Sequence, residues 1–310
     1  MVIAVSHTTV SPEVKVDHKK KTVHPVIRWM KLLLKSKTGT IGFLIVLMVV
    51  LVAPLADVLA PYDPAQTHPT KMLLPPAWLE GGTTEHLLGT DNLGRDILSR
   101  IIYGSQVSLL VGITAVVIAG AIGAAMGLIS GYYGGWIDNL VMRLVDAFLA
   151  IPSILITLVI LSVVGPGLWT LIIVLGVTNW VGYARIVRGE VLSVKEREFV
   201  KAAHTIGVKD YKIMRQHLLP NVASSFIVIS TLSVASTIIA EASLSFLGMG
   251  IQPPTVSWGT MLSAGKDYLA QSWWVATFPG LAITITTLGI IFLGDWLRDV
   301  LDPRTQMDGK

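Results

Sequence analysis

The sequence predicts an all-α integral membrane protein with about six transmembrane helices and both termini in the cytoplasm. Three observations predict it. First, 52% of the 310 residues are hydrophobic and only 14% charged, with mean hydropathy +0.66, whereas a soluble domain carries about 25% charged residues. The surplus apolar surface must face lipid. Second, six stretches are long and apolar enough to cross, since a span needs roughly 20 such residues to cover about 30 Å of hydrocarbon. Third, Lys and Arg fall on one side of those spans. Of 24 in the chain, eight precede Thr40, one is Arg143, eight lie from Arg185 to Arg215 and three follow the last span. The other side holds Lys71, Arg95, Arg100 and Lys266. Positive charge is retained inside, so both ends are expected there.

The spans run approximately Thr40 to Leu59, Val107 to Ile129, Leu140 to Val164, Leu168 to Gly189, Val222 to Gly248 and Trp274 to Leu297. Residues 1–39 form a basic cytoplasmic tail. Its last part, HPVIRWMKLLLKSK, sets Arg28, Lys31 and Lys35 at helical spacing apart from Trp29, Leu32 and Leu33, as in an interfacial helix. The part before about Pro25 reads as disordered. A secretory signal is rejected, because Pro61-Tyr62-Asp63-Pro64 follows the first apolar run where a small-residue cleavage site would stand.

The expected membrane domain spans 40–297, with outer loops at 60–106 and 249–273, an inner loop at 190–221 and a tail at 298–310. In the first outer loop, GRDILSRIIYGSQ reads as a short amphipathic surface helix. The second loop is too polar and broken to cross and should hold a short packed helix.

Composition also excludes chemistries. There is no Cys, hence no disulfide, thiolate metal site or CxxC pair. All seven histidines lie outside the spans, which argues against an intramembrane Ser-His hydrolase. No GxxxxGK[ST] phosphate loop occurs, because Gly265-Lys266 is followed by Asp267. The chain is therefore read as no enzyme, with no metal site and no cofactor of its own. A net charge of +4 does not point to nucleic acid, since the basic residues sit beside apolar runs.

Within the spans, Ala115, Ala119, Gly123, Gly127 and Gly131 repeat every four residues, which suits close helix approach inside the chain or between subunits. Ionisable groups in spans are costly. Glu241, near the outer end of the fifth span, is either paired with Arg95 or Lys266 or a gate residue. Arg143 and Asp146, three apart, are expected to pair or to border a path. Asn179 either bonds across helices or lines that path.

Between the fourth and fifth spans lies EREFVKAAHTIGVKDYKIMRQHLLPN, residues 196–221. Phe199, Ala202, Ala203 and Ile206 share one helical face, and Gly207 is where such a helix ends. A second helix from about Lys209 would present Tyr211, Met214 and Leu218 before Pro220 starts the next span. Joining two spans requires no helix-turn-helix, so the segment looks like a docking element for a soluble partner.

This segment resembles the EAA loop of binding-protein-dependent ABC importers: Glu-Ala-Ala, three residues, Gly, nine residues, Ile-x-Leu-Pro. Ala202, Ala203, Gly207, Leu219 and Pro220 meet it in register, while Lys201 stands for Glu and His217 for Ile. APYDP, HLLGTDNLGRDILSRIIYG, GYYGGWIDNLVMRLVDAFLAIPS, EASLSFLGMGIQPPTVSWG and GDWLRDVLDPR are similar to the dipeptide, oligopeptide and nickel branch, from about Leu32 to Arg304. The chain thus resembles a C-type permease subunit of that branch.

The resemblance implies type I importer architecture in a bacterial or archaeal cytoplasmic membrane. It implies a sister permease as the other half of the path. Two ATPase subunits would hold ATP and Mg, and an extracytoplasmic solute-binding protein would be received near Arg95 and Trp258. The helix around Ala202 to Gly207, with Phe199, Lys201 and Ile206, would insert into an ATPase cleft. Peptides are the implied solutes. The alternative is an ion-gradient-driven secondary transporter, which would bury a midplane carboxylate and show broken helices in two repeats. Glu241 sits too near the outer end for that, and no repeat is visible.

Overall fold

The computed structural model describes residues 25–301. The basic tail before Pro25 and the segment 302–310, Arg304 included, lie outside the described residues, and side chains are described from Trp29 on. Everything regular in the described residues is helical apart from one isolated bridge, Thr90 with Asp96.

Helix α1 (Pro25–Lys35) turns through 111° into α2 (Lys37–Val52), whose first turn is capped by Ser36 accepting from the Gly39 amide at 3.1 Å. The first span stops at Val52, short of Leu59, because Pro54 has no amide to continue the ladder. Only a single turn, α3 (Ala56–Leu59), follows. The second span is longer than its apolar core. Helix α4 (Ile97–Tyr133) runs unbroken for 37 residues, so the amphipathic ILSRIIYGSQ stretch is its first turns and no separate surface helix. Asp96 starts it, accepting from the Ser99 amide at 2.8 Å.

At the third expected span stand two helices, α5 (Gly135–Leu149) and α6 (Ser153–Val164), bent by 85°, so that the described residues hold four helices long and apolar enough to cross, and up to six if each bent pair is one span. Pro152 disfavours helical geometry at Ile151 and ends α5. In the fourth, α7 (Leu168–Thr178) passes into α8 (Trp180–Lys195) through one non-helical residue, Asn179. Helix α9 (Glu198–Thr205) and the single turn α10 (Asp210–Ile213) form the connecting segment. The expected second helix does not stand apart. A π turn over Met214–Leu218, closed by Leu219 N–H on the Met214 carbonyl, leads directly into α11 (Leu219–Phe246). The wider turn sits where Pro220 would otherwise press on the carbonyl four residues earlier. Helix α12 (Trp258–Gly265) and α13 (Trp274–Leu301) complete the fold.

Helix α4 is the axis of the bundle and packs on α7, α8 and α11, while α13 packs on α2 and α11. The small-residue stripe is the reason α4 and α8 come so close. A Cβ on Gly127 would lie 2.6 Å from the Ala184 carbonyl, and one on Gly131 2.9 Å from Val191. Of the two readings of that stripe, the structure shows packing inside the chain. Where α2 crosses α13, Gly42 and Gly289 play the same part.

Candidate functional site

At the end of the bundle formed by the last turns of α4 and α8 and the first of α11, α9 is held down by one face and open on the other. Val200 and Ala203 are buried among Val187, Val191, Val194, Ile213, Leu218 and Val222. Phe199 is 42% and Ile206 79% exposed, and Ala202 is exposed as well. The single apolar face expected from the sequence is therefore divided, with Ala203 turned inward and Phe199, Ala202 and Ile206 outward. Of the residues expected on the second helix, Leu218 is buried, Met214 half-buried and Tyr211 exposed. Leu219 and Pro220 are exposed in the first turn of α11.

Gly207 closes α9. Its φ of +79° lets its amide donate to the His204 carbonyl at 3.0 Å and the Val208 amide to the Ala203 carbonyl at 3.1 Å. Two carbonyls at the helix end are satisfied by a left-handed residue that favours glycine. Lys201 reaches back 2.8 Å to Glu196, and this hydrogen bond holds the Glu196 carboxyl below its ordinary range. Phe199 lies against the His217 ring, centroids 5.9 Å apart.

This segment is fastened to the spans by polar contacts that the sequence did not single out. Tyr132 Oη donates to Asp210 Oδ1 at 2.7 Å, and Lys195 Nζ donates to the Tyr132 carbonyl. Arg188 forms a two-pronged pair with Asp138 at 2.5 and 2.6 Å, joining α8 to α5. Asp138 and Arg188 are 50 residues apart, so no local spacing could reveal them.

Midway along the spans lies a cavity of about 380 Å³, walled by α4, both halves of the third span, the Asn179 interruption and the middle of α11. Asn179 borders it. The other pathway candidates do not. Arg143 and Asp146 are exposed on α5 and form no ion pair with each other. Glu241 is 0% exposed and contacts neither Arg95 nor Lys266 as an ion pair. It accepts instead from Ser257 and Ser245 at 2.8 Å each and from Ser108 at 3.4 Å. Three hydroxyls from α4, α11 and the cap of α12 thus converge on one carboxylate.

At the opposite end, residues 60–96 fold over the bundle around buried charges. Asp91 pairs with Arg95 at 2.7 Å and Arg100 at 3.5 Å, and Arg100 also donates to the Pro64 carbonyl. His86 Nδ1 lies 3.0 Å from Asp96. Arg95 is thereby engaged within the chain. Trp258, expected at a partner surface, is 2% exposed, its Nε1 donating to the Ile101 carbonyl at 2.9 Å. It is a core residue that seats α12 against α4.

Residues 123–307 match the family described as binding-protein-dependent transport system inner membrane component. The chain belongs to that family. Residues 27–76 of the permease also match the N-terminal TM domain of oligopeptide transport permease C. Its relatives include the di/tripeptide transport system permease protein DppC of Pseudomonas aeruginosa, 43% identical over 263 residues, 85% of this chain and 87% of the relative. The dipeptide permease DppC of Haemophilus influenzae is 41% identical, covering 87% and 92%. That of Escherichia coli K12 is also 41% identical, covering 87% and 90%. Among solved structures, an inward-facing MetNI methionine ABC transporter chain shares the fold at TM-score 0.51 and 18% identity, over 66% of this chain and 96% of that one.

The permease is thus a multi-pass inner-membrane component of an ABC importer, in a family whose ATPase is a separate subunit. The position of Glu241 near the outer end and the want of a visible repeat oppose an ion-driven carrier, and the bend between α5 and α6 alters neither. Family membership excludes it more directly.

Proposed function

We propose that the permease imports short peptides, dipeptides first and longer oligopeptides within the same class, and forms half of their path beside a sister permease. The relatives' names bring the peptide class. The observation that carries the coupling role is the α9 tip, where apolar Phe199, Ala202 and Ile206 stand in the open while Val200 and Ala203 bolt the same helix to the spans. Such a tip suits a cleft on one ATPase partner, and its anchored side carries the push into α4, α8 and α11. In this reading 190–221 is the cytoplasmic coupling loop, Lys201 and Leu219 with Pro220 frame it, and both termini are cytoplasmic. The outer segments 60–96 and 249–273 face an extracytoplasmic solute-binding protein, while ATP and Mg reside on the two ATPases.

Gly207→Val tests this. A Cβ there meets nothing within 4 Å, so the substitution acts only through the left-handed backbone, at about 1–2 kcal/mol. The expected result is wild-type membrane yield with ATPase co-purification and dipeptide uptake both at least fivefold lower, and a smaller loss for Gly207→Asn. Wild-type co-purification together with full uptake would count decisively against the coupling role.

A further inference from the structure

Helix α5 is held less firmly than the helix it leans on. Of its fifteen residues only Val141 and Val145 are buried, against seven of the sixteen of α8. Both of its ends are breaks in regular backbone. Before it, Gly134 and Gly135 take positive φ, +66° and +56°, and an added Cβ at either would meet nothing within 4 Å. After it come Pro152 and the 85° bend into α6. Element ends that absorb a change of backbone angle are what a hinge requires, so a helix between two of them can turn as a rod.

The attachments of α5 to α8 differ in kind along its length. Toward the bend, Val145 and Phe148 cluster with Trp180, Val181 and Ala184, the Phe148 and Trp180 rings meeting edge to face at 5.9 Å. Apolar burial has no direction, and by itself it lets one helix slide along the other. Toward Gly135, Arg188 grips both carboxylate oxygens of Asp138, Nε on Oδ1 and a terminal nitrogen on Oδ2. A two-pronged pair fixes orientation as well as distance. It is the one contact here that locks the register of α5 against α8.

The two helices lead to different places. Beyond Arg188, α8 ends at Lys195 and the chain passes into α9. Beyond Asp138, α5 runs about 15 Å to Phe148 and Leu149, which wall the mid-membrane cavity. Neither Asp138 nor Arg188 lines that cavity.

We infer that Asp138 and Arg188 are positioning residues for transport: their pair makes α5 follow α8, so that a displacement of α9 by its ATPase swings Phe148 and Leu149 across the cavity. Helix α8 is the driven element and α5 the lever, with the Gly134-Gly135 turn and the bend at Pro152 as its hinges. Without the pair α8 slips along α5, and ATP is hydrolysed while the cavity wall stays in place.

This inference rests on the proposed coupling role of α9, and the readouts separate the two. The permease is reconstituted with its sister subunit, ATPases and binding protein in proteoliposomes, and Ala-Ala uptake and ATP hydrolysis are measured together. Asp138→Asn should hydrolyse ATP within twofold of wild type while uptake per ATP falls at least fivefold. A merely structural defect lowers both rates in proportion and leaves that ratio unchanged. Arg188→Lys keeps the charge without the fork; it should lower the ratio two- to threefold, and it carries the test if Asp138→Asn does not assemble. The movement itself is read from Leu149→Cys, since the chain has no cysteine of its own. Labelling of that position by a thiol reagent should differ at least threefold between the nucleotide-free complex and one trapped with ATP and vanadate, and adding Asp138→Asn should abolish the difference. An unchanged ratio in assembled Asp138→Asn, or in Arg188→Lys where only that variant assembles, overturns the lever, as does Leu149→Cys labelling that is the same in both states. Full ATPase co-purification and uptake in Gly207→Val overturns the coupling role and the lever with it.

Discussion

At Glu241 a carboxylate lies among three hydroxyl donors with no cation beside it, at the junction of α4, α11 and α12. Ser257, one of the three, also caps α12 by accepting from Thr260. Its position near the end of the fifth span was legible, but the partners were not, because Ser108 is 133 residues away and Ser257 lies beyond a loop. A gate residue should face the path, whereas Glu241 is fully buried and apart from the cavity. Removing it strands buried hydroxyls at a cost of about 1–3 kcal/mol in all. Glu241→Ala is therefore expected to lower the melting temperature of the purified complex by roughly 2–10 °C, at 2–4 °C per kcal/mol for a chain near this size. Glu241→Gln, which keeps an acceptor oxygen, should lose less than half as much, and uptake per folded molecule should hold in both. Normal melting with abolished uptake would restore the gate.

Among the elements, hydropathy located four long apolar helices and, at the first and third expected spans, two pairs of helices whose bends it missed. Pro152 was a visible signal for the third, since the residue before proline avoids helical geometry. Asn179 carries no such signal, and its interruption is a product of packing. Helix α4 shows the converse. Its four-residue repeat was legible as close packing, yet the partner, α8, could be named only from the fold. Gly123, Gly127 and Gly131 meet α8 backbone or β-branched Val191, atoms that cannot swing aside. Overpacking of this kind typically costs 1–3 kcal/mol or more. Gly127→Val should reduce the yield of assembled permease severalfold, whereas Gly189→Ala, whose Cβ meets nothing within 4 Å, should leave yield unchanged. Equal yields would mean that α4 and α8 do not approach this closely in the membrane.

On the scale of the whole molecule, the two ends of the bundle differ in kind. One carries the exposed tip of α9 and is rich in Lys and Arg; the other carries the folded loop 60–96, whose few basic groups are tied to Asp91 and Glu85. All but four of the 24 Lys and Arg residues fall at the α9 end or in the segments expected beside it, and that asymmetry sets orientation during insertion. On the proposed orientation, the positive residues beside the α9 tip would hold this end in the cytoplasm, where exposed Phe199, Ala202 and Ile206 would meet an ATPase. Because the chain has no cysteine, single replacements report orientation without background. Thr84 and Lys209 are exposed at opposite ends. In sealed right-side-out vesicles a membrane-impermeant thiol reagent should label Thr84→Cys, and should label Lys209→Cys only after the membrane is opened. The reverse pattern would place the α9 tip outside, beyond reach of any ATPase, and would undo the coupling role while leaving the fold as it stands.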